Sequence, residues 1–340
     1  MIRRYLWLVG ALCLSQMQTI TDTAWAQNQT NATVGKQSNN QAVVTPSWSK
    51  LQAVYDYDAK AALTVKEVTK STDKAYMLHI EFDASDNQPG GKTADKPDAN
   101  VAGKTEGKKV EGVFARPKAE GIYPVVLLLH GLTSDKETMM TYLGNRLVEQ
   151  GIAVLALDAP YHGERKQADI NPGQPTVFPG VVRQGCLEWR HGLDYLMTRK
   201  DIDKTRVGLL GYSMGSMMGS ILGAVDKRIG SFALCVAGDP ILPVTGQLPD
   251  AIRDPLFGVC PSLFIGHIAP RPLLMLNGKQ DTVMPAEASN RLYAAAKEPK
   301  EQAWFDSGHI LPPEAGLKAI TWLTKVFVRF HYSISGKNGY

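Results

Sequence analysis

The sequence predicts an α/β protein built on a mostly parallel sheet flanked by helices. Three observations lead there. From Tyr123 onward, short continuous apolar runs alternate with stretches of helical spacing, the pattern of strand–helix crossovers. Runs such as Val125–Leu129 lack the in–out alternation of a half-exposed sheet, so their strands should be covered on both faces. One run, Val207–Leu210, passes through Gly211-Tyr212-Ser213-Met214-Gly215 into a small-residue helix. That is strand, sharp turn and helix, with a serine at the turn.

The chain has 340 residues, 44% of them hydrophobic and 21% charged, enough to bury a sizeable core. Net charge is +4, and no basic block interleaves with aromatics, so charge gives no case for nucleic-acid binding. The first residues read as an address. Arg3 and Arg4 precede an apolar stretch, Tyr5–Leu14, too short to span a bilayer. Ala24-Trp25-Ala26 then fits signal-peptidase cleavage, which makes 1–26 a signal peptide and Gln27 the mature start. Export to a bacterial periplasm or beyond is expected, with no membrane association after cleavage.

Gln27–Ser47 reads as a disordered polar leader, and 48–340 as one domain. Leu63–Thr69 and Ala75–Phe82 read as an antiparallel strand pair, followed by a flexible insertion over 83–108. Further strands are expected at Val110–Arg116, Val125–Leu129, Ile152–Leu157, Phe232–Ala237, Pro272–Asn277 and Gln302–Phe305. A helix over Lys136–Gln150 has Ser134 and Glu137 as a capping box. Other helices are expected at Val181–Arg199, from Ser213 to near Asp226, and at Pro285–Lys297 and Glu314–Phe330. Segments 158–185 and 239–270 are cap-like, the second irregular because of its prolines. Cleavage would remove Cys13 and leave Cys186, Cys235 and Cys260. Cys235 sits in an apolar run as a buried hydrophobe, whereas Cys186 and Cys260 could pair in an oxidising compartment. Cysteine and histidine spacings suggest no metal site.

A nucleophilic serine needs a base, and the base an orienting carboxylate. Of seven histidines, His309 stands out: it lies in a loop after a strand, on the edge of a parallel sheet where Ser213 would also lie. His79, His191, His267 and His331 read as structural or surface residues. Asp281, in the loop after the Pro272–Asn277 strand, is the favoured acid over Asp239; the rival use of either is a turn or cap. The oxyanion of an acyl transfer needs donors. One is the N–H of Met214, at a helix N-terminus. The second is assigned to Leu132, after His130-Gly131, with His130 supporting the loop.

With these residues in order, the chain from about Lys109 resembles the α/β-hydrolase superfamily, most closely its dienelactone-hydrolase and acetyl-esterase-like members. The matching stretches are Leu127–Gly131, Leu157–Arg165, Gly211–Gly215, Arg271–Pro285 and Ser307–His309. The resemblance implies an eight-stranded, mostly parallel sheet and the chain order serine, acid, histidine. Dienelactone hydrolases proper have a cysteine nucleophile where this chain has Ser213, so what the resemblance implies is ester hydrolysis. The expected partner is a small-molecule ester, with no metal or organic cofactor. Two other readings stand beside it: a peptidase of the prolyl-oligopeptidase kind, and a non-catalytic binding protein on the same scaffold. Residues 27–108 are too few for the propeller such peptidases carry. In the loop Asp158–Arg165, His162, Glu164 and Arg165 either contact substrate or, through an internal Arg–Glu pair, hold the loop. Trp189, Trp304 and Trp322 fit core faces. Leu256, Phe257, Leu263 and Phe264 suit an apolar lid or the core equally.

Overall fold

The computed structural model describes residues 44–59, 63–83 and 109–335. The expected signal peptide, Cys13 and nearly all of the leader and the 83–108 insertion lie outside the described residues.

Three strands, β1 (Val65–Thr69), β2 (Ala75–Asp83) and β3 (Lys109–Pro117), run antiparallel in turn. β3 also pairs antiparallel with β5 (Ala153–Leu157). The rest is parallel: β4 (Tyr123–Leu129), β6 (Ile202–Tyr212), β7 (Ser231–Cys235), β8 (Leu273–Gly278) and β9 (Lys300–Phe305). All belong to one sheet in the order β1-β2-β3-β5-β4-β6-β7-β8-β9. Nine strands stand where eight were expected, because β1 joins the same sheet through β2.

The apolar runs do what their composition demands. In β4, Val125, Leu127 and Leu129 enter one core and Val126 and Leu128 the other. Each such side chain contributes about 1.5–3 kcal/mol through burial. Among the described residues, the nine α-helices are α1 (Trp48–Ala53), α2 (Lys136–Met139), α3 (Asn145–Glu149), α4 (Phe178–Thr198), α5 (Met214–Val225), α6 (Leu242–Thr245), α7 (Asp250–Phe257), α8 (Ala286–Ala295) and α9 (Pro313–Ser335). α4 and α5 fill the first core, with Trp189, Leu193, Met218 and Ile221; α2, α3 and α9 fill the second, with Met139, Leu147, Ile320 and Leu323. Among the described residues, no helix is long and apolar enough to cross a membrane.

Several expectations are corrected. The helix over Lys136–Gln150 is interrupted by a π turn at Met140–Gly144. Its cap is Asp135, whose side chain accepts from Thr138 N at 2.8 Å; the Ser134 N–H instead closes a turn on Gly131 O. The cause is Lys136, buried against Asp158, which fixes the helix start one residue later than the capping box requires. Segment 239–270 is not irregular but holds α6, α7 and two 3₁₀ turns. Cys186 and Cys260 are free, each thiol facing a carbonyl, Met218 O and Leu256 O respectively. Phe257 and Phe264 are fully buried in the first core and form no lid; Leu256 and Leu263 pack on it. Trp189 is buried, as expected, whereas Trp304 and Trp322 are half-buried.

The parallel strands all end on one edge. β4 leads there to His130, β5 to Asp158, β6 to Ser213, β7 to Asp239, β8 to Asp281 and β9 to His309.

Candidate active site

The turn between β6 and α5 sets the position of Ser213. Its backbone has φ 54° and ψ −114°, a conformation that residues with a Cβ avoid. Packing imposes it. A Cβ on Gly215 would lie 2.3 Å from Leu129 O, and one on Gly211 2.5 Å from Gly215 O, so both neighbours must lack side chains. Ser213 N donates to Cys235 O at 3.0 Å, tying the turn to β7. Ser216 Oγ lies 2.8 Å from Gly211 O and 2.7 Å from Cys235 O, bracing it from below.

The hydroxyl meets His309. Ser213 Oγ is 2.8 Å from His309 Nε2, and His309 Nδ1 is 2.8 Å from Asp281 Oδ2. A carboxylate has no proton to give, so Nδ1–H donates to it and Nε2 is left to accept from the serine. The other Asp281 oxygen accepts from the N–H groups of Val283 and Met284, at 2.9 and 2.8 Å. Tyr212 was not singled out in the sequence, yet its hydroxyl donates to His309 O at 2.8 Å and accepts from Leu311 N at 2.9 Å. It anchors the histidine loop beside the serine. The rival acid, Asp239, is spent on backbone: Oδ1 accepts from Ile241 N and Leu242 N, and Oδ2 from Ser262 N, all at 3.0 Å.

The loop after β4 lies against the serine: a Cβ on Gly131 would sit 3.4 Å from Ser213 Cβ. Among the described residues, neither the N–H of Met214 nor that of Leu132 donates to another protein group. The peptide bearing the Leu132 N–H has its carbonyl, Gly131 O, held by His130 Nδ1 at 2.8 Å and by Ser134 N at 3.1 Å. Ala159 N donates to His130 Nε2 at 2.9 Å, which puts the ring proton on Nδ1. Burial, and then the neighbouring His162, push His130 well below the ordinary histidine range, so the ring is neutral.

The loop Asp158–Arg165 contains the expected arginine pair with a different partner. Arg165 binds Glu188 of α4 through two contacts of 2.7 Å, while Glu164 pairs with Lys136 at 3.0 Å. The cause is direction: of these adjacent side chains, Glu164 points outward beside Lys136, and Arg165 is buried against α4. His162 is buried, with ring nitrogens against the carbonyls of Pro160 and Leu132. A small apolar cluster borders Ser213 and Asp281 in sequence: Met217, Met284 and Ala288, with Phe178 and Ile241 packed on it. It joins the two cap-like segments to the framework, and no motif marked it.

A nine-stranded, mainly parallel sheet with a serine on a strained strand–helix turn defines an α/β-hydrolase. Within that superfamily, the serine hydrolase model FSH1 matches residues 123–319, and the chain belongs to this serine hydrolase family. It is 29% identical over 210 residues to YtaP of Bacillus subtilis (strain 168), covering 54% of this chain and 70% of that one. It is 24% identical over 219 residues to the esterase YjfP of Escherichia coli (strain K12), covering 58% and 87%. The chain spans about two thirds of the length of the first curated relatives it matches. Among solved structures, the acetyl xylan esterase from Paenibacillus sp. R4 superposes with a TM-score of 0.62 at 16% identity, over 82% of this chain and 99% of that one. At that identity the likeness concerns the fold.

Proposed function

We propose that the protein is an exported serine esterase that cleaves carboxylic esters through an acyl-enzyme. Ser213 attacks the carbonyl carbon, and His309 takes its proton and returns it to the leaving alcohol. Asp281 holds the histidine tautomer and stabilises the imidazolium. The N–H groups of Met214 and Leu132 bind the oxyanion. Water then adds to the acyl group with His309 again as base, releasing the acid. The single observation that carries this reading is the chain of two 2.8 Å contacts linking Ser213 Oγ, His309 and Asp281. Two free N–H donors beside the serine, and similarity to the esterase YjfP, support an ester as the substrate. Export rests on the first 26 residues.

The test is hydrolysis of p-nitrophenyl acetate by wild type and Ser213→Ala, with a fluorophosphonate label read by mass spectrometry. The variant should lose at least about 10³-fold in kcat/KM, and the label should sit on Ser213 alone. Full activity in Ser213→Ala would sink the mechanism. The same protein, recovered after export, should begin at Gln27 on N-terminal sequencing; an intact Met1 would refute cleavage.

A further inference from the structure

The loop after β5 carries strain that the chemistry above does not use. Tyr161 has φ 64° and Gly163 has φ 54°. A Cβ on Gly163 would lie 1.9 Å from Asp158 Oδ2, so the chain doubles back tightly over that carboxylate. Gly163 adopts that conformation freely, whereas at Tyr161, which carries a Cβ, it is strained and persists only where the surroundings over-determine it. Here they do. Asp158 is fully buried and accepts from the Lys136 backbone N–H at 2.9 Å and from its ammonium at 2.8 Å. Arg165 donates to Asp158 O at 3.0 Å while pairing with Glu188.

What the strained turn presents is His162. Its Nδ1 lies 2.8 Å from Pro160 O, and its Nε2 reaches across thirty residues of sequence to Leu132 O at 2.6 Å. Its ring sits 4.9 Å from that of His130. The two histidines divide one task. A peptide is planar, so fixing its carbonyl aims its N–H the opposite way. His130 holds Gly131 O, the carbonyl of the peptide that carries the Leu132 N–H. His162 holds Leu132 O, the carbonyl of the next peptide. The backbone on both sides of the Leu132 Cα is thereby tethered, one side by each ring. Thr133, the next residue, is exposed and offers no such restraint.

We propose that His162 is a positioning residue for the oxyanion donor at Leu132, acting through the Leu132 carbonyl rather than on the substrate. This rests on the esterase mechanism given above, in which the Leu132 N–H binds the oxyanion. Burial keeps the ring below the ordinary histidine range, so near neutrality it is uncharged and carries one proton. Placed on Nε2, that proton is donated to Leu132 O, the nearer of the two carbonyls, and Nδ1 faces Pro160 O without one. A donor misplaced by an ångström loses most of its value to a transition state, although the ground state still binds.

The experiment compares wild type, Ser213→Ala, His162→Ala, His162→Gln and His162→Asn. Each is measured for kcat and KM on p-nitrophenyl acetate and for inhibition by an aryl trifluoromethyl ketone. That ketone reports on the donor directly. Ser213 Oγ adds to its carbonyl carbon, the serine proton passes to His309, and the carbonyl oxygen becomes an oxyanion. His162→Ala should lower kcat by about 10- to 100-fold with KM within about threefold, and weaken ketone binding by a similar factor. Gln, whose amide stands where Nε2 stands, should recover most of the loss; Asn, which matches the reach of Nδ1, should not. An unchanged kcat and ketone affinity in folded His162→Ala overturns the proposal. So does a rise in KM alone, which would mean substrate contact. If His162→Ala does not fold, the Gln and Asn variants decide, and equal activities overturn it. Activity retained in Ser213→Ala removes the mechanism itself, whereas an inactive Ser213→Ala beside a full-rate His162→Ala removes only this proposal.

Discussion

Asp281 and Asp239 show how closely two aspartates can resemble each other and still differ in use. Each follows a parallel strand, each is buried, and each accepts two backbone N–H groups through one oxygen. The difference is the other oxygen. In Asp281 it faces His309; in Asp239 it takes the N–H of Ser262. Asp281→Asn should therefore cut kcat on the order of 10⁴-fold, because an amide in place of the acceptor favours the wrong histidine tautomer, with little change in melting temperature. Asp239→Asn should do the reverse. It puts an amide where three N–H donors converge, costing about 1–3 kcal/mol of stability and leaving kcat within a few-fold. Steady-state kinetics and thermal melts of both variants check the pair, and the opposite pattern would exchange their roles. Chain order admits both, since each lies between Ser213 and His309 and carries the same turn chemistry; what favoured Asp281 in the sequence was its loop, between the Pro272–Asn277 strand and the helix that starts at Pro285. His162 was legible only as one of three candidates in its loop, because its partners are backbone carbonyls, which leave no mark in a side-chain pattern.

At the scale of elements, the strand–turn–helix around Ser213 was legible because its glycines are needed for contact as well as for conformation. Gly215 lies against the end of β4, where a Cβ would meet Leu129 O at 2.3 Å and His130 O at 2.8 Å. Both atoms are backbone and cannot swing aside. Gly215→Ala should therefore cost more than about 3 kcal/mol, or abolish soluble protein, by pushing α5 off the sheet. Gly230→Ala is the control: its Cβ would meet only Val207 O, at 3.4 Å, and should cost less than about 1 kcal/mol. Chemical denaturation of the two variants measures the difference, and equal costs would mean that the close approach at Gly215 is relieved cheaply. The cap-like segment 239–270 misled for a physical reason. Proline was read as a breaker, but Pro243 and Pro261 occupy first-turn positions, where a missing N–H costs nothing, and Pro249 sits at a helix cap. Pro255 lies inside α7, a helix of only two turns. The buried strands, by contrast, followed from composition alone, because a run such as Val125–Leu129 has one stable destination.

At the scale of the whole molecule, the sheet edge gathers a buried polar network as well as the serine, and that network makes stability depend on pH. His130 and His162 lie between the loops after β4 and β5, with Asp158, Asp135 and Lys166 as the charged groups around them. Burial is the largest cause of both shifts; it holds His130 down to about 4 and keeps His162 below 6.5. In the unfolded chain both titrate near 6.5. Above that value neither state is protonated and the pair has no effect. For His130 between about 6.5 and 4, and for His162 from about 6.5 down to its own lowered value, the unfolded chain binds the proton and the folded one does not. Stability therefore falls as pH falls, by up to about 1.4 kcal/mol per unit for each histidine. Asp135, Asp194 and Asp226 are also shifted downward, but their contribution is lost below about 4, in a separate window. Glu111, shifted upward by burial, works in the opposite direction and offsets part of the slope. Urea melts of wild type between pH 7 and pH 4.5 should show this decline, and His162→Gln should show a shallower one whatever its stability at pH 7. A variant slope equal to that of wild type would mean that His162 takes up its proton in the folded state as readily as in the unfolded one. It would then stand between its two carbonyls as an imidazolium, donating to both.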